Sequence, residues 1–185
     1  MRGFVKAALV LALAATSTPA MARVTEVIPF DTVKGWNIRY SEGSTACHMS
    51  KTDLGSPFGI VLAFGWDAEQ DMATVIFATK NEGRKLADNG TAVGIELFDN
   101  GDSLRPNKSW QLPSAQININ SGNVFFTGSF ADGSAFLDDV QKSDAFALRS
   151  NAGLFIGGFT LDGIAAAVPR LRQCAESQLR MWGAK

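Results

Sequence analysis

SPFGIVLAFGWD at residues 56–67 and DMATVIFATK at residues 71–80 are rich in β-branched, aromatic and small apolar residues, and only Ala68-Glu69-Gln70 parts them. Two such runs across a short polar segment read as the arms of a β-hairpin. Outward from that hairpin the pattern repeats. Residues 91–98 (TAVGIELF) form another strand that ends at Asp99-Asn100-Gly101-Asp102, where Asn-Gly signals a tight turn. Upstream, residues 35–40 and 45–49 are shorter strands split by Ser41-Glu42-Gly43. Downstream, residues 115–120 (AQININ) alternate apolar and polar, and residues 123–130 (NVFFTGSF) follow across Ser121-Gly122. Turn residues at intervals of about 8–12 positions are how antiparallel sandwiches and barrels appear in sequence.

The last third changes period. Residues 134–142 (SAFLDDVQK) fit a short helix with Phe136, Leu137 and Val140 on one side. Residues 145–149 and 154–159 read as two more strands, with Gly157-Gly158 marking a bulge or a close approach of the C-terminal helix. Asp162 is placed to cap a helix running from Gly163 towards Trp182. Ile164, Val168, Leu171 and Ala175 fall on one face of it, Cys174 lies on the edge of that face, and Pro169 should kink or restart it. The fold expected is mainly β (α+β): an antiparallel β-sandwich or barrel with a C-terminal helix.

The chain has 185 residues, 46% hydrophobic and 19% charged, with a formal net charge of −1. That suits one domain with a real core, excludes disorder, and gives no footing for a nucleic-acid partner. Residues 1–22 (MRGFVKAALVLALAATSTPAMA) read as a signal peptide: Arg2 and Lys6 precede a short apolar stretch, and Ala20-Met21-Ala22 offers a cleavage site. The apolar stretch is shorter than the roughly 20 residues of a membrane span, and no later one reaches that length. The expectation is a single exported domain over residues 23–185, periplasmic or secreted, with no transmembrane segment after cleavage.

Export changes how the two cysteines read. In an oxidising compartment Cys47 and Cys174 should pair, enclosing most of the domain and tying the last helix to the sheet. Closing a loop of that length contributes roughly 4–5 kcal/mol in the chain-entropy account. The alternative, a thiolate–imidazole pair of Cys47 with His48, is awkward because neighbours in a strand point to opposite faces.

Gly35-Trp36, then Cys47, then GGFTLDGIAAAVPRLRQC ending at Cys174 form a pattern that spans nearly all of the mature chain. It resembles a group of small exported proteins common in proteobacteria and, more distantly, the invasion-associated locus B proteins, which are also small, exported and rich in strands. The resemblance implies compartment and fold, and carries no catalytic residue.

Catalytic vocabulary is sparse. His48 is the only histidine, hence the only imidazole base, and a hydrolase would need it beside a serine and a carboxylate such as Asp53 or Asp67. No Gly-x-Ser-x-Gly elbow is present. The carboxylate pairs Asp99/Asp102 and Asp138/Asp139 read as turn and helix surface, with Asp99–Asp102 only faintly like a calcium loop. One histidine and two cysteines leave very few ligands for a transition-metal centre, the glycines match no phosphate-binding spacing, and no cofactor is implied. Aromatic residues are the richer resource. Trp36, Trp66 and Trp110, near strand ends or loops, are the expected ligand or partner surface. Arg170, Arg172, Arg180 and Lys185 give a basic C-terminal end for the helix dipole or an anionic surface. The reading is a non-enzymatic exported binding domain whose partner is an envelope protein or a small apolar ligand. Its rivals are a hydrolase using His48 and an inhibitor of a secreted hydrolase that presents residues 103–113 as a rigid loop.

Overall fold

The computed structural model describes residues 26–56, 59–80, 91–99, 105–120 and 123–182. Along the chain these form β1 (Val27–Val33), β2 (Trp36–Ser41), β3 (Ala46–Thr52), β4 (Val61–Asp67), β5 (Met72–Lys80), β6 (Thr91–Phe98), β7 (Lys108–Asn120), β8 (Asn123–Phe130), α1 (Gly133–Gln141), β9 (Ala145–Ser150), β10 (Phe155–Thr160) and α2 (Ile164–Trp182). The hairpin expected across residues 56–80 is β4–β5, antiparallel from Val61↔Ala78 to Asp67↔Met72. The proposed leader, residues 1–22, lies outside the described residues, as do most of the Asp99–Asp102 turn and Lys185.

The strands lie in the order β1-β2-β3-β4-β5-β8-β7-β6-β9-β10. One long strand serves both halves: the first part of β7 pairs with β6 up to Ala115, and from Gln116 it pairs with β8. Pro113, which has no N–H to give a ladder, stands just before that changeover. The chain therefore makes two sheets that share β7. They do not close into a barrel, because β1 and β10 are the two ends of the order. Residues 103–113, expected as a loop, are strand from Lys108 onward.

Alternation places the core. Trp36 and Ile38, Cys47 and Met49, Leu62 and Phe64, and Val75 and Phe77 occupy one face of neighbouring strands in register, and all are buried. Opposite them stand Val93, Ile95 and Leu97 of β6, and Phe146 and Leu148 of β9, also buried. Phe64 joins the layers: its ring centroid is 5.9 Å from Trp36, 5.7 Å from Phe136 of α1 and 6.1 Å from Phe146. Such ring pairs add to the area they bury.

The three tryptophans expected on the surface belong to this interior. Trp36 and Trp66 are buried and Trp110 is half-buried against the core. Each indole N–H then needs a partner away from water. Trp36 donates to the Asp162 carbonyl ahead of α2 (3.0 Å), Trp66 to the Asp71 carboxylate (3.0 Å) and Trp110 to Asp139 of α1 (3.1 Å). The rings fill the core and their N–H groups fix where the helices dock. Position near a strand end did not make these side chains exposed, because the helices fold back over those ends.

Asp71 is the busiest of these acceptors. Held in left-handed backbone (φ 47°), it also accepts from the Ser134 N–H (2.7 Å) and hydroxyl (2.9 Å), so it holds the first turn of α1 from the β4–β5 turn. The Trp66 bond first, then those from Ser134, keep its carboxyl below the ordinary aspartate range against the opposing effect of burial. Gly133 lets that turn come close, since a Cβ there would stand 2.7 Å from the Ala73 nitrogen.

α2 lies on β1–β4 and α1, with Ile164, Val168, Leu171 and Ala175 buried as its periodicity requires. Cys174 on that face is disulfide-bonded to Cys47 of β3, the Cα atoms 6.1 Å apart, so helix and sheet are tied as expected. Pro169 does not end the helix, which runs on to Trp182. Proline deprives the Ala165 carbonyl of its helical donor. Gln141 of α1 supplies one instead, through Nε2 at 3.4 Å. No helix among the described residues is long and apolar enough to cross a membrane.

Candidate ligand cleft

The middle of the outer face of the smaller sheet is built from small residues. In β9 the large side chains Phe146 and Leu148 turn inward, which leaves Ala145 and Ala147 on the other face. Register then sets their neighbours: Phe98, Ala145 and Thr160 form one row across β6, β9 and β10, and Glu96, Ala147 and Gly158 the next. A third row brings Gly94, Arg149 and Phe155 together. The expected bulge is present, as the β9–β10 register shifts between Phe155 and Gly157.

The result is a trough floored by Ala145, Ala147 and Gly158, with Phe98 towards one end and Phe155 towards the other. Its remaining side is the β3–β4 loop, which contributes Asp53 and Ser56. That loop reaches β10 because Gly59 has no side chain: a Cβ there would be 2.6 Å from the Gly158 carbonyl oxygen. The close approach inferred at Gly158 is therefore to this loop and not to the C-terminal helix. The cleft, open to solvent along one side, has a volume of about 430 Å³, within the range of roughly 300–1,000 Å³ usual for small-molecule sites.

Comparison with protein-family models, with curated proteins and with solved structures found no match to this chain.

Charge in the cleft is uneven. Asp53, Asp99 and Asp144 line it, and Arg149 is the one cation among the described lining residues. Arg149 is already engaged: its Nε donates to Glu96 at 2.5 Å, its Nη1 to the Gly153 carbonyl at 3.2 Å, and its guanidinium lies 5.9 Å from the Phe155 ring centroid. It also separates the cleft from a smaller polar hollow of about 220 Å³ lined by Glu96, Gln111 and Gly153. Asp53 is held in its turn by the Gly55 N–H at 3.1 Å.

His48 lies elsewhere. It is exposed on the outer face of β3, its ring over Gly65 of β4, where a Cβ would collide with it. Loss of water against that sheet lowers its pKa below the ordinary histidine value. Among the described residues no serine or carboxylate hydrogen-bonds the imidazole, and His48 does not line the cleft. Asp67, one carboxylate considered as its partner, instead accepts from the Thr45 hydroxyl (3.0 Å) and the Glu69 N–H (2.9 Å).

Other sequence candidates serve the fold. Asp138 pairs with Arg172 at 2.6 Å and Asp139 accepts from Trp110, so this carboxylate pair joins α1 to its surroundings. Arg170 pairs with Asp31 of β1 at 2.7 Å, and that bond lowers the Asp31 pKa. Two arginines expected at a basic surface thus bind helix to sheet and helix to helix. No group of three or more metal-ligating side chains occurs among the described residues.

Proposed function

We propose that this chain is an exported, non-enzymatic binding domain that takes a small apolar molecule in the cleft between the outer face of β9–β10 and the β3–β4 loop. The cleft itself carries the reading. It is concave, its floor is Ala145, Ala147 and Gly158, and its walls include Phe98 and Phe155. A few polar groups among aromatic and small apolar surfaces is the usual make-up of a ligand site. Export is supported by the leader-like N-terminus and by the Cys47–Cys174 bond, which persists in oxidising compartments. A ligand site is favoured over the hydrolase because His48 stands outside the cleft with no serine or carboxylate bonded to it among the described residues.

The test is saturable binding of the neutral apolar dye N-phenyl-1-naphthylamine, followed by its fluorescence. Ala147→Trp fills the floor and should abolish the signal, while His48→Ala should leave it unchanged. Absence of saturable binding, or equal binding by Ala147→Trp, would contradict the reading.

A further inference from the structure

We propose that the ligand carries an uncharged polyhydroxyl head, a sugar or a like polyol, and that this head sits in the polar hollow beside the cleft. The inference rests on the cleft being a ligand site and concerns the part of the ligand that lies beyond it. Both hollows open on the outer face of the smaller sheet, side by side across its strands. Along the order β7-β6-β9-β10, one row holds Ser109, Glu96, Ala147 and Gly158. The next row brings Gln111, Gly94 and Arg149 together. The face is thus polar over β7 and β6 and apolar over β9 and β10, with Arg149 on the border between the two hollows. Three strand spacings separate β7 from β10, about 14 Å. That is the reach of a sugar ring joined to a short apolar body.

The hollow has a volume of about 220 Å³ and is lined by hydroxyl, amide, carboxylate and guanidinium groups. Its carboxylate and guanidinium satisfy each other, Arg149 donating through Nε to Glu96 Oε2 at 2.5 Å. Glu96 keeps Oε1 to accept a further bond. Its side chain is only 20% exposed, so that bond forms partly away from water, where it is stronger. Arg149 is held in turn by the Gly153 carbonyl, so the pair is fixed before any ligand arrives. The Gln111 amide and the Ser109 hydroxyl have no hydrogen-bond partner among the described residues. Gln111 leans over Gly94, where an added Cβ would stand 3.4 Å from its Nε2, and the missing side chain leaves the floor of the hollow bare. Donors and acceptors are thus mixed within one small space. An amine head could only donate and a carboxylate head only accept, whereas neighbouring hydroxyls do both.

Three probes share one apolar body: 4-phenylbutyl β-D-glucopyranoside, its tetra-O-methyl ether and 4-phenylbutan-1-ol, titrated calorimetrically near neutral pH. The glucoside should bind at least about tenfold more tightly than either of the others, the yield of about one or two net hydrogen bonds. The ether keeps the bulk of the head and loses its donors, so it should stay within about threefold of the alcohol. Ser109 and Gln111 are exposed on β7. Ser109→Ala with Gln111→Ala should bring glucoside and alcohol within about threefold of each other. If that double variant folds poorly, the comparison of glucoside with ether on the unmodified protein decides the same question. A glucoside that binds no better than the alcohol, or an ether that matches the glucoside, overturns the head inference and leaves the cleft as an apolar site. A glucoside advantage that survives both substitutions overturns it too. Failure of every probe together with the naphthylamine dye overturns the ligand site as well.

Discussion

Reducing the Cys47–Cys174 bond should cost this domain a large part of its stability. The two cysteines are 127 residues apart, and releasing a closed loop of that size removes about 5 kcal/mol in the chain-entropy account. Net stabilities are roughly 5–15 kcal/mol, so the reduced protein should be marginal. For a domain of this size about 5 kcal/mol corresponds to a fall of roughly 10–20 °C in Tm. Both sulfurs are buried beneath α2, so unfolding of that helix should precede efficient reduction. The assay is urea unfolding of oxidised and reduced protein, with Cys47→Ala/Cys174→Ala alongside. Circular dichroism is the better probe, because Trp66 stands directly across from Cys47 and its fluorescence would respond to the disulfide itself. The reduced chain should unfold at lower urea and with a steeper slope, since an uncrosslinked unfolded chain exposes more surface. Unfolding free energies of oxidised and reduced protein that coincide to within about 1 kcal/mol would refute the reasoning.

The aromatic junction and the Asp71 lock give further tests. Phe64→Ala should cost about 3–5 kcal/mol in chemical unfolding, because its ring meets Trp36, Phe136 and Phe146 together. Asp71→Ala leaves the Trp66 indole and two Ser134 donors without their acceptor and should cost about 2–3 kcal/mol near neutral pH. The folded Asp71 pKa lies below its unfolded value, so this contribution is full above the unfolded pKa and lost as pH falls through the folded one. A difference between wild type and variant that grows on acidification would contradict that sign. Gly133→Ala drives a Cβ into the β5 backbone and should cost about 1–3 kcal/mol by thermal unfolding, with a neutral result excluding the close docking of α1.

Much of the architecture was legible because it rests on local patterns. The β4–β5 hairpin, β8, α1 and the apolar face of α2 follow from alternation, 3.6-residue periodicity and turn residues. β1 escaped because VIPFDTV contains Pro29, which argues against a strand interior. The structure accommodates it on the edge, with the register shifting between Pro29 and Asp31. The turn after it, Lys34-Gly35, has both φ values positive, which suits a two-residue hairpin but lacks the Asn or Asp that would have announced it. β7 was cut short by Pro106 and Pro113, which look like loop residues until the change of partner at Ala115 gives the second a place.

The cleft was not legible in the same way. Its members were read separately: residues 145–149 and 154–159 as strands, Gly157-Gly158 as a bulge, Asp99 as part of a turn. What joins them is the cross-strand rows and a loop far earlier in the chain, beginning at Asp53. The one local signal was the alternation in AFALR, where small residues face away from the core opposite Gly158. The tryptophans misled for a related reason. Proximity to strand ends suggested exposure, whereas helix docking covers those ends and turns each indole N–H inward.

The most direct measurement is the set of backbone amide shifts on titrating isotope-labelled protein with N-phenyl-1-naphthylamine. The account predicts saturable changes gathered at Phe98, Ala145, Ala147, Gly158 and Thr160, with Asp53 and Ser56 moving in parallel. Changes centred on the outer face of β3 around His48, or no saturable change at all, would contradict it.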